Sequence, residues 1–225
     1  MYKLEVKLDG KFVNNFYNGS VYDIVFLALE FWLDYVKGKA VRRIYGYTIT
    51  RILRSSKQQY IKIHFLESEI EEKTLVKQIL KDFYRLKDKI FVGFNIKGSD
   101  LPTLKSRLKP MNIYSNPIEI QLFDLRDCVQ YTQTKGLNGL FKSLGIEVKK
   151  KIDGSYFRRN PKRVFFRKQG WIEILLNMFE YCLEDAAGYF EIVSKWKIKC
   201  PVVTKDMIKS ELLSYSIQEA ESALN

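Results

Sequence analysis

Histidine is almost missing from this 225-residue chain, His64 being the only one. Cysteine is nearly as scarce: Cys128, Cys182 and Cys200 are odd in number and form no Cys-x-x-Cys pair, which argues against a disulfide framework and against a zinc site. Cys182 stands in an apolar helical context and reads as core rather than as a catalytic thiol. No run of 18 apolar residues occurs, so no membrane span and no membrane partner are expected. The opening Met1-Tyr-Lys-Leu-Glu-Val-Lys7 alternates charged and apolar residues, unlike a basic segment leading into an apolar signal core, and a cytoplasmic location follows as the expectation. Internal repeats, low-complexity tracts and a Gly-rich phosphate loop are also missing, which disfavours a nucleoside triphosphatase.

What is present is apolar content and positive charge. Hydrophobic residues make up 46% of the chain, enough for a real core. Lysine and arginine outnumber aspartate and glutamate 38 to 26, a net charge of +12 that suits a polyanionic partner. The excess is concentrated: from Lys142 to Lys168 ten basic residues face only Glu147 and Asp153. Tyr156, Phe157, Phe165 and Phe166 are interleaved with Arg158, Arg159, Lys162 and Arg163, a mixture that suits phosphates and stacked bases better than a merely solvated face does.

Periodicity gives an α/β order. Residues 2–17 alternate around Asp9-Gly10 and predict an amino-terminal hairpin. Strands are expected at 22–31, 42–50 and 59–65, then a helix over 69–86 with acidic residues in its first turn. A strand at 89–94, a helix after Asp100, a strand near 118–123 and a helix ending at Gly145 follow. One long helix is expected from Ile172 to Trp196, and an amphipathic helix over 204–224 packed on the domain. The expected division is 1–20 hairpin, 21–200 main domain and 201–225 terminal helix. His64 alternates outward on its strand and reads as a surface residue.

Two carboxylate-bearing segments stand out. The apolar strand ending in Val92-Gly-Phe94 runs through a Gly98-Ser turn to Asp100, which places that carboxylate at a strand-to-helix junction. Tyr181 and Asp185 lie four residues apart on the long helix and so share a face. A phenol beside a carboxylate is useful where the carboxylate holds a cation and the hydroxyl orients a water or a phosphate oxygen on it.

The string from Gly93 to Arg107, Gly-Phe-Asn-Ile-x-x-x-Asp-Leu-Pro-x-Leu-x-x-Arg, resembles the second motif of the DEDD-type 3'-5' exonucleases, in wording closest to the exonuclease domain of family B DNA polymerases. Tyr181-x-x-x-Asp185 is similar to the third motif of the tyrosine subclass. The histidine subclass would need His at position 180, which is Glu. The first motif, Asp-x-Glu, matches at Glu30, but its aspartate is Ala28, an engineered change or a natural loss.

The resemblance implies a ribonuclease H-like mixed sheet with helices on both faces. It also implies a two-metal site of Mg2+ or Mn2+. Glu30 and Asp185 would hold the ion that activates water, Asp100 would support the second, and Tyr181 would orient the attacking water. Asn95 would lie near the terminal nucleotide of a single-stranded or frayed DNA or RNA 3' end, with Arg158, Arg159, Lys162 and Arg163 on the nucleic acid. Two ions about 3.5–4 Å apart suit phosphodiester hydrolysis because one makes the nucleophile and the other stabilises the leaving oxygen. Carboxylates are the hard donors such ions prefer. Asp124, just past a strand end, reads as structural. The alternative to an enzyme is a catalytically inactive nucleic-acid-binding or assembly protein on the same fold, and the residue at position 28 separates the two.

Overall fold

A computed structural model describes residues 1–10, 12–128, 136–198 and 200–215. Seven strands form one mixed sheet: β1 (Tyr2–Leu8), β2 (Ile24–Val36), β3 (Lys39–Ile52), β4 (Gln59–Phe65), β5 (Ile90–Gly93), β6 (Ser115–Asp124) and β7 (Lys209–Tyr215), in the spatial order β1-β4-β3-β2-β5-β6-β7. The β2-β5 and β5-β6 pairs are parallel, and the other pairs are antiparallel. The helices are α1 (Glu72–Arg85), α2 (Leu101–Leu108), α3 (Gly136–Ser143), α4 (Tyr156–Arg159), α5 (Pro161–Phe165) and α6 (Trp171–Lys195). None in the described residues is long and apolar enough to cross a membrane.

β2 carries the alternation that builds two apolar layers. Val25, Leu27 and Leu29 join one cluster, with Leu75, Val76 and Phe83 of α1. Ile24 and Phe26 join the other, with Leu140 and Phe141 of α3 and Phe190 of α6. Successive side chains on a strand point to opposite faces, so a strand apolar at every position is one covered on both sides.

β2 and β3 stay in register from Val25↔Arg51 to Glu30↔Gly46, then resume at Phe31↔Ile44, leaving Tyr45 as an extra residue in β3. Gly46, opposite Glu30, has to be glycine on steric grounds. A Cβ there would come within 2.6 Å of the His64 carbonyl and closer still to the Phe65 ring.

Three expectations need correction. The 2–17 hairpin does not form: β1 pairs instead with β4, from Tyr2↔Phe65 to Leu8↔Gln59. Asn14 breaks the return strand, because its Oδ1 accepts from Phe16 N and Tyr17 N while its Nδ2 donates to the Tyr17 and Gly19 carbonyls. The terminal helix gives way to β7 over 209–215, antiparallel to β6, and residues 216–225 lie outside those described. Leu212 and Leu213 fit either period. β6 offers them an open strand edge, and Leu213 is buried there while Leu212 is exposed. His64 is buried, because its strand is covered on both faces. Its Nδ1 meets the Tyr47 hydroxyl at 3.3 Å, and burial lowers its pKa to about 4.

Candidate functional site

The parallel pairing of β2 with β5 ends at Phe26↔Val92, and two residues later β2 presents Ala28 and then Glu30. A cleft beyond the carboxyl ends of parallel strands is where α/β folds place ligands. β5 stops at Gly93, and the chain reverses at Asn95, whose φ of 61° is left-handed. Asp124, at the end of β6, fixes that reversal by accepting from Asn95 N at 2.7 Å, Lys97 N at 3.0 Å and Arg126 N at 3.0 Å. Its structural role is therefore observed. One wide turn, closed by Leu101 N on the Ile96 carbonyl, then carries Asp100 back toward β2. Asp100 Oδ1 accepts from Leu29 N at 2.8 Å, which ties the second motif to the strand of the first.

α6, ~37 Å long at 1.5 Å per residue, brings Tyr181, Cys182 and Asp185 to the same place. Cys182 Sγ donates to Glu30 Oε1 at 3.8 Å, weakly. Burial, with Asp185 and Asp100 as the next causes, pushes the Glu30 carboxyl well above its usual value. Burial likewise pushes Asp100 up to about 8, against the pull of the Leu29 N–H. Asp185 is raised by burial, although the Lys150 ammonium and the Tyr181 hydroxyl both act to lower it. The Tyr181 phenol is raised by burial and by the Asp185 and Glu30 charges, so it is a donor, not an anion, at any ordinary pH. Glu30 thus feels the carboxyl groups of both Asp100 and Asp185, a combination of desolvation and like charge characteristic of functional sites.

Lys150 supplies the cation. Its Nζ forms an ion pair with Asp185 Oδ1, stands 4.4 Å from the Tyr181 ring centroid and bonds Asn138 Oδ1 at 2.6 Å. Lys149 N on Glu184 at 3.2 Å and Lys151 on Glu180 at 2.9 Å pin the same segment along α6. Sequence reasoning counted Lys150 only as one of a basic run. The signal it lacked was tertiary, since nothing local distinguishes it from Lys149 or Lys151.

The nucleic-acid-facing expectations divide. Asn95 Oδ1 is held by Arg126 Nη1 at 2.6 Å, so its side chain belongs to the turn. Lys162 is paired with Asp34 at 2.9 Å, and Arg163 reaches the Gln169 carbonyl at 3.2 Å. Arg158 and Arg159 are exposed and make no ion pair among the described residues.

Residues 38–197, well over half of the chain, match the family profile of the RNase_H superfamily. The chain belongs to the RNase_H superfamily. The matched region of this superfamily member starts after Ala28 and Glu30 and includes Asp100, Lys150, Tyr181 and Asp185. Among solved structures it is similar to the family B DNA polymerase from the hyperthermophilic archaeon Pyrobaculum calidifontis, with a TM-score of 0.52 at 12% identity. The likeness covers 76% of this chain and 24% of that one, so it speaks for the fold, and this chain spans about a quarter of the polymerase. No curated protein matches the sequence.

The carboxylates have the right chemistry for Mg2+ or Mn2+, but their arrangement does not fit a two-ion centre. Ala28 offers a methyl group and no donor oxygen. Lys150 sits on Asp185, and Leu29 N occupies an oxygen of Asp100. Among the described residues no three His, Cys, Asp or Glu side chains are grouped to share an ion. Glu30, Asp100 and Asp185 therefore meet as electrostatic neighbours, not as one coordination sphere.

Proposed function

We propose that this chain is a 3'-5' exonuclease-type domain that takes single-stranded or frayed 3' ends of DNA or RNA, and that with Ala28 it holds such ends far better than it cleaves them. The observation that carries the reading is the meeting of Glu30, Asp100, Tyr181 and Asp185, from three separate segments, at the end of the parallel strands beside an exposed basic segment. In this form the cleft neutralises its carboxylates with Lys150 and by protonation, and the phosphate backbone is met by cations, not by a nucleophile. Hydrolysis needs the ions that the carboxylates, as arranged, do not fit; Mg2+ or Mn2+ are the ones their oxygens suit. A second reading, a nucleic-acid-binding or assembly module that never hydrolyses, is favoured by the Lys150–Asp185 pair.

Restoring an aspartate at position 28 decides between them. Ala28→Asp should digest 3'-ended single strands with Mg2+ or Mn2+ some hundred- to several thousand-fold faster than the chain as it stands. This corresponds to roughly 3–5 kcal/mol of transition-state stabilisation. Oligonucleotides labelled at the 3' or the 5' end give the direction. An Ala28→Asp protein that binds but stays inert leaves the binding module as the function.

A further inference from the structure

Arg42 and Arg43 are neighbours on β3 with opposite fates. Arg43 places Nε 2.8 Å from Glu72 and Nη1 2.9 Å from Asp34, with its guanidinium 4.8 Å over the Trp32 ring. Arg42 is exposed and makes no ion pair among the described residues; its one hydrogen bond is a long one, 3.4 Å from Nη1 to Ser99 Oγ. Arg158 of α4 lines the same cleft, likewise without an ion pair among the described residues. The two guanidinium groups, Ser99, Gly154 and Glu30 line one cleft of about 160 Å³. This is room enough for a phosphate group.

Arg42 and Arg158 line this one cleft with no ion pair among the described residues, and an anion bound there offsets the repulsion between two like charges. Arginine's planar fork of donors matches phosphate oxygens two at a time. Gly154 leaves its part of the wall without a side chain, and the Ser99 hydroxyl adds a donor. We infer that Arg42, Arg158 and Ser99 form a pocket for one backbone phosphate of the strand whose 3' end lies at Glu30. This rests on the proposed function and adds to it the subsite that sets how far the strand enters. Arg42 is then a positioning residue outside all three exonuclease-like motifs.

The test is fluorescence anisotropy of 5'-labelled hexathymidylate on the full chain in EDTA, which keeps hydrolysis out of the measurement. Arg42→Gln and Arg158→Gln should each weaken binding about tenfold and the pair more than thirtyfold. The slope of log affinity against log salt should fall by about 0.7 per arginine, as for single strands. Arg85→Gln, at a separate depression beside β1 and β4, serves as the control for general charge and should change binding less than threefold. Inorganic phosphate should compete with the strand on the parent chain and lose that effect on the double variant. Parent-like binding by the double variant overturns the pocket and leaves the proposed function standing. Absence of binding by the parent overturns both. All variants alter exposed residues, and unchanged thermal melts confirm that they fold.

Discussion

β2 carries two acidic residues four positions apart, and their surroundings differ in kind. Asp34 lies in a closed ion-pair hub. It accepts from Arg43 and Lys162, while Glu72 takes Arg43, Nε and Nη2 of Arg107 and the Ile44 N–H. Every charge there has a partner, and Asp34 is held down to about 2, mainly by Lys162 and then Arg43. Glu30 has a thiol, two carboxyl groups and one shared ammonium around it, and its pKa moves the opposite way. The same strand thus serves as a rivet at one end and as a cleft wall at the other. The first arrangement maximises stability, whereas the second keeps carboxylates poorly satisfied and available.

Removing the hub's central acceptor is the harshest way to test this contrast. Glu72→Ala strands the Arg107 guanidinium in a largely buried place, leaves Arg43 to Asp34 and Glu69, and should cost about 3–5 kcal/mol in urea unfolding. A loss below about 1 kcal/mol would mean that the hub is an exposed surface network after all. Lys150→Met, which keeps the stem and removes the charge, should cost about 2 kcal/mol at pH 8, since it leaves Asp185 beside Glu30 without a cation. That loss should vanish near pH 4, where the carboxyl groups are protonated.

The smallest effect has the opposite sign. The folded pKa of Asp100, near 8, lies above the roughly 3.9 of an unfolded aspartate. Its contribution is therefore fully present below about pH 4 and is lost as pH rises through 8. Asp100→Asn retains an acceptor for Leu29 N and should stabilise the fold by about 1–2 kcal/mol at pH 8, with no gain at pH 4. Asp34 runs the other way: its contribution is present above about pH 4 and is lost as pH falls through 2. Thermal melts of the parent and Asp100→Asn from pH 3 to 9 measure the Asp100 limb, and melts of the parent continued down to about pH 1.5 follow the Asp34 limb. A stability difference that does not change with pH would remove Asp100 from the cleft's electrostatics.

Local pattern made the sheet's middle strands, α1, α6 and the two motif segments legible, because each is set by its own periodicity or turn. The edge strands were not, since β1 and β7 are defined by which open edge they reach, and Leu212-Leu213 is silent on that point. Arg107, the last residue of the motif string, serves the hub through Glu72. Asn95 sits at the turn, and its side-chain oxygen accepts from Arg126. Lys150, Arg42 and the weak Cys182–Glu30 contact were invisible because each gains its role from a partner more than 30 residues away.

The one surplus residue in β3, Tyr45, sets the phase of everything that follows it toward the hairpin tip. Side chains along a strand alternate, so deleting a single residue there would turn Arg43 out to the cleft and Arg42 into the hub. Two adjacent arginines of identical chemistry owe their separate duties to that count alone. The division of labour is therefore written in the spacing of the backbone, and the loss of one codon would exchange it.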